Sequence, residues 1–130
     1  MSRRNYIHFG IFCFFFSAWS IALLAPVPRE SAATILGGQQ GVTIFGKTLH
    51  VLAYIFLTVL GGSLPWQRLP RLVLLVVLFG HAAATEYLQQ FFERGSSLRD
   101  VGLDSLGIVL GLFSGWRWWR QLFLASSEID

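Results

Sequence analysis

Apolar residues run through this chain in long blocks separated by short polar joints. "YIHFGIFCFFFSAWSIALLA" lies near the start, and "LVLLVVLF" and "SLGIVLGLF" lie in the second half. A helix crossing the hydrocarbon core of a bilayer needs about 20 such residues. The pattern predicts four spans, over residues 6–25, 47–64, 72–92 and 101–118. The second and fourth are short and polar at their starts. The expected class is therefore all-α: an integral membrane four-helix transmembrane bundle, one domain over 1–130. The joint "GGSLPWQRLPR" (61–71) is short and Pro-rich, which predicts an antiparallel pair of the second and third spans. Residues 26–46 are long for a connection in a compact domain. Within them, "AATIL" is expected as a short helix on the membrane surface.

Composition points the same way. The chain is 54% hydrophobic and 13% charged, with 12 Phe and 5 Trp. Soluble domains carry roughly 25% charged residues, and a soluble protein this small could not hide so much apolar surface. Membrane lipid is the expected surrounding partner. No basic block interleaves with aromatics, so no nucleic-acid partner is expected. The single cysteine, Cys13, excludes an intrachain disulfide. Arg3 and Arg4 precede the first span as in a signal peptide, but its apolar part is long and "ALLAPVP" lacks a small-x-small cleavage site. A retained helix is expected.

The net charge is +3, and its placement suggests an orientation. Basic residues favour cytoplasmic loops. Arg3, Arg4, Arg68, Arg71, Arg117 and Arg120 fall on one side of the four predicted spans. On the other side, Arg29, Lys47, Arg94 and Arg99 are offset by Glu30, Glu86, Glu93, Asp100 and Asp104. Both termini are expected in the cytoplasm, with Trp66, Trp116, Trp118 and Trp119 at the inner interface and "RWWRQLF" (117–123) as an interfacial anchor.

The polar residues inside the spans carry the candidate chemistry. Lys47, His50 and Tyr54 share one helical face at i, i+3, i+7. Glu86 and Gln90 are spaced i, i+4 near the outer end of the third span, and Asp100 and Asp104 likewise at the start of the fourth. At 1.5 Å per residue, His50, Glu86 and Asp104 lie in one layer roughly 5–12 Å below the outer helix ends. A charged side chain at mid-bilayer costs at least about 2.5–3.5 kcal/mol, so these groups should face one another. The expected network sets Lys47 and His50 against Glu86 and Asp104, with Arg94 and Arg99 closing it. Gly95 suits a helix C-terminus, and Ser97-x-x-Asp100 suits a capped start for the fourth helix. Below it, Gly107, Gly111 and Gly115 form a stripe on the face of the aspartates, which permits close helix approach.

"GKTLHVLAY" (46–54) followed by "ATEYLQQFFERGSSLRDVGLDSLGIVLG" (84–111) resembles the VanZ-like family of small bacterial membrane proteins. The family pattern falls on Lys47, His50, Tyr54, Glu86, Gln89 or Gln90, Arg94, Asp100 and Asp104. One departure is Ser105-Leu106 before Gly107, where an Asn beside the glycine is expected. The resemblance implies a bacterial inner-membrane protein of the cell envelope. The family takes its name from a protein linked to glycopeptide resistance, chiefly to teicoplanin, and it implies no mechanism.

Three functional readings follow. In the first, an outward-facing polar pocket binds an anionic lipid-linked or peptidoglycan-related ligand, held by Lys47, Arg94 and Arg99. In the second, His50 with Glu86 or Asp104 performs acid–base catalysis on a lipid-linked phosphate. In the third, the buried ion pairs only lock the helices. His81, near mid-membrane, suggests a hydrogen bond to a neighbouring helix, or otherwise a proton path. His50, Glu86, Asp100 and Asp104 are competent metal ligands. No metal and no cofactor are expected, however, because Lys47 one turn from His50 would repel a cation and no HExxH or Cys pair is present.

Overall fold

The computed structural model describes residues 3–92 and 98–124. Its helices in order are α1 (Arg3–Leu24), α2 (Arg29–Leu36), α3 (Gln39–Gly62), α4 (Arg68–Gln89), a 3₁₀ turn (Gln90–Phe92), α5 (Leu98–Ser114), α6 (Trp116–Trp119) and α7 (Gln121–Leu124). The all-α class holds, but the four-span bundle does not. Among the described residues, three helices are long and apolar enough to cross a membrane: α1, α3 and α4. The expected fourth span is α5, with only 17 residues. At 1.5 Å per residue it is about 26 Å long, short of a hydrocarbon core of about 30 Å. Its first two turns also carry Arg99, Asp100 and Asp104. Placing both termini in the cytoplasm required four crossings, and three helices of spanning length do not supply them.

The long connection over 26–46 is mostly helix. "AATIL" falls in α2, and α3 begins eight residues before the expected start at 47. Between them, Gly37 and Gly38 take φ of +76° and +100°, a left-handed region that side chains with a Cβ avoid. The Gly38 N–H then donates to the Ala33 carbonyl at 2.7 Å and closes the end of α2. The chain reverses there without a loop.

The register follows from contacts along each helix. Gly107 and Gly111 of α5 lie against Val51, Tyr54, Ile55 and Thr58 of α3, so α5 runs parallel to α3. In α4, His81 meets Tyr54 while Arg71 meets Trp118, so α4 is antiparallel to both. Phe9 packs on Trp66 and Ser20 on His81, so α1 runs parallel to α4. The core sits where these helices meet, around Tyr54, Leu57, Leu78, Ile108 and Trp119, each 1% exposed or less. The outward faces are apolar: Phe14, Ile21, Val76 and Phe113 are each more than 65% exposed. Water would reject such a surface, whereas acyl chains solvate it.

The most extensive interhelical contact joins α3 and α5. A Cβ at Gly107 would stand 2.6 Å from the Val51 carbonyl oxygen, and one at Gly111 would stand 2.5 Å from Thr58 Cβ. The helix backbones therefore nearly touch, as small residues allow where lipid provides no hydrophobic drive between helices. At the far end, Trp119 fills the space beside Gly62, and its Nε1–H donates to the Thr58 carbonyl at 3.2 Å. Trp119 is fully buried, not interfacial as expected. Arg71 is also buried, because it holds the C-terminal segment: its guanidinium donates to the carbonyls of Trp118 and Leu64 and to Gln121 Oε1.

Gly107→Ala and Gly111→Ala should each destabilise the protein by about 1–3 kcal/mol through overpacking. Gly102→Ala, whose Cβ meets nothing within 4 Å, should leave stability unchanged or slightly raised. Thermal unfolding in detergent, followed by tryptophan fluorescence, checks the contrast.

Candidate functional site

Three helices each bring one ionisable side chain to a common point. His50 lies mid-way along α3, Glu86 one turn from the end of α4, and Asp104 in the second turn of α5. Their nitrogen and oxygen atoms lie within 4.8 Å of one another. The His50 Nδ1–H donates to Asp104 Oδ1 at 2.7 Å. Asp104 is fully buried and Glu86 is 4% exposed. Asp104 is sealed because the glycine edge of α5 presses its whole face onto α3. The edge of the Trp19 ring covers His50 and Tyr54 from α1, with ring centroids 5.5 and 6.4 Å away.

A second polar chain lies below this cluster. Ser20 Oγ donates to the Phe16 carbonyl at 2.8 Å, which leaves its oxygen to accept from His81 Nε2, also at 2.8 Å. That fixes the proton of His81 on Nε2, so Nδ1 accepts from the Tyr54 hydroxyl at 2.8 Å. His81 thus joins α1, α3 and α4, and it hydrogen-bonds two neighbouring helices. Thr85 is buried beside it, and its hydroxyl donates to the His81 carbonyl at 2.8 Å.

Several expected members stand elsewhere. Lys47 is exposed, and among the described residues it pairs with no carboxylate. It lines a cavity of about 460 Å³ with Arg29, Gln39, His50, Gln89 and Asp100. Glu86 and Asp104 do not line that cavity; they are buried behind His50. The expected outward-facing pocket walled by these carboxylates is therefore overturned, and with it the reading of a site for an anionic lipid-linked or peptidoglycan-related ligand. Gln90 is exposed. Gln89, at i+3 from Glu86, is buried in its place and donates to the Leu23 carbonyl at 3.1 Å. Tyr54 is fully buried, but its hydroxyl serves His81 rather than the carboxylates. Asp100 is half-buried on the cavity wall, and Arg99 is exposed. Arg94, Gly95 and Ser97 lie outside the described residues.

Sequence reading missed Ser20, Trp19 and Thr85. A lone serine and tryptophan in an apolar block give little signal, although Ser20 is the one strongly polar residue between Ser17 and Arg29. Gln89 enters the sequence reading only through the family resemblance, although spacing also points to it, because i+3 and i+4 share a helix face equally well. No family model, curated protein or solved structure matches the chain.

His81→Leu keeps the size of the side chain but leaves the buried Tyr54 hydroxyl without its acceptor, and should cost about 1–3 kcal/mol. Lys47→Ala and Gln90→Ala, both at exposed positions, should stay within about 0.5 kcal/mol of the parent. Melting in detergent distinguishes the two groups.

Proposed function

We propose that this chain is an integral membrane protein whose buried His50–Asp104–Glu86 network serves as a structural lock. Removing polar groups from water inside a bilayer is expensive, and they are tolerated when they satisfy one another. The His50–Asp104 pair, with Glu86 beside it, comes together in only one mutual register of the three helices. Sliding α5 by one turn along α3 would separate His50 from Asp104 by about 5.4 Å and leave the carboxylate buried without its imidazole partner. Apolar packing alone discriminates such slips poorly, and buried polar groups of this kind specify register in other helical assemblies. The observation that carries the reading is the 2.7 Å contact between His50 Nδ1 and an Asp104 side chain with no exposed surface.

The surrounding placement is part of the same proposal. The three long apolar helices support multi-pass insertion, and the ordered Lys-His-Tyr, Glu-Gln and Asp-Asp motifs resemble the VanZ-like pattern. Together they favour the bacterial inner membrane as its location.

The lock is tested by a double-mutant cycle. His50→Leu and Asp104→Leu should each be costly, with about 3–5 kcal/mol lost where a charged partner stays buried alone. The double variant should lose clearly less than the sum. Single variants that melt like the parent, or costs that simply add, would sink the reading. Membrane insertion is checked separately: the protein should stay in the pellet after an alkaline carbonate wash.

A further inference from the structure

We propose that His50, Glu86 and Asp104 form a binding site for one divalent transition-metal ion, of the Zn²⁺ class, where α3, α4 and α5 meet. The proposal rests on reading this cluster as an internal network and adds an occupant to it. Each residue offers one ligand atom, and these atoms lie within 4.8 Å of one another. Ligands held about 2.0–2.2 Å from a common ion are at most about 4.4 Å apart. Small side-chain adjustments therefore bring all three onto one ion without moving a helix. One imidazole nitrogen and two carboxylate oxygens suit Zn²⁺, Mn²⁺ or Fe²⁺.

A second observation points to a ligand independently. Asp104 is fully buried, and its Oδ2 has no hydrogen-bond partner among the described residues. A lock needs only Oδ1, which His50 already holds. A sealed anionic oxygen with no donor is costly, and a cation beside it removes that cost. Access is also built in. The His50 side chain keeps 16% of its surface exposed and lines the cavity of about 460 Å³ shared with Gln89 and Asp100. Asp100 Oδ1 is buried there and likewise lacks a partner among the described residues. Lys47, the sequence-based reason to expect no metal, is exposed on the cavity wall and lies outside the ligand set.

The test uses the full-length protein purified in detergent, stripped with chelator, reloaded with Zn²⁺ and washed, with bound metal counted by mass spectrometry. About one Zn²⁺ per chain is expected, as for a three-ligand site with one open position. His50→Ala and Asp104→Asn should weaken binding at least about tenfold, the lower range seen even for outer-shell partners, while Lys47→Ala keeps it. Because the ligand variants could fail to accumulate, the parent protein provides a second readout. Its melting temperature should rise with Zn²⁺ and fall back with chelator. Parent protein that retains neither Zn²⁺ nor Mn²⁺ above a buffer blank overturns the site, as does His50→Ala binding as tightly as the parent. The His50–Asp104 coupling measured in chelator judges the lock separately, so the metal can fail while the lock stands.

Discussion

The close approach of α5 to α3 is the constraint on which the rest of this structure depends. Gly107 and Gly111 leave no room for a Cβ between the two helices. That contact carries Asp104 down onto His50 and removes it from every solvent. It also brings Trp119 beside Gly62, where the far end of the pair is closed. A wider spacing would leave the aspartate in a gap and the tryptophan at the surface. The glycine edge and the polar cluster are thus one feature, since the first determines how deeply the second is buried.

α4 completes the arrangement from the opposite direction. Of the three long helices it is the most enclosed, with 33% of its apolar window buried against 11% for α1 and 17% for α3. Its inward face carries Arg71, Leu74, Leu78, Ala82, Glu86 and Gln89, so charge stands at both ends of an apolar middle. The terminal nitrogens of Arg71 donate to carbonyls and an amide, whereas Glu86 stands with an imidazole and a second carboxylate. The two ends therefore solve burial differently. The carbonyl cluster around Arg71 fastens chain segments, and the junction around His50 sets the depth and register of helices.

Much of this was legible in the sequence. Block length gave the three long helices, and a shared depth below the outer helix ends gave the meeting of His50, Glu86 and Asp104. The glycine stripe correctly predicted a tight helix contact. What misled was the treatment of every polar residue on these faces as a member of one group. Lys47 has a long, flexible stem and stays in the open, and spacing alone does not say which side of a helix end is roofed. α2 provides that roof by packing on α3, whereas the sequence suggested a short helix at "AATIL" lying on the membrane surface. The fourth span failed for a related reason. Hydropathy treats a helix as if lipid surrounded it, whereas Asp104 in the head of α5 is enclosed by protein. Trp119 shows the same limit: aromatic residues near a predicted boundary suggest an interface, but Gly62 on α3 opens a slot for this one.

The shortness of α5 has a consequence for biogenesis. A segment of this length, with an arginine and two aspartates near its start, has little tendency to partition into a bilayer alone. The helices made before it in translation present the narrow track it needs, formed by Val51, Tyr54, Ile55 and Thr58 of α3. α5 is thus held by a surface that the preceding helices supply rather than by its own affinity for hydrocarbon. A truncated chain ending before Leu98 would leave that track uncovered.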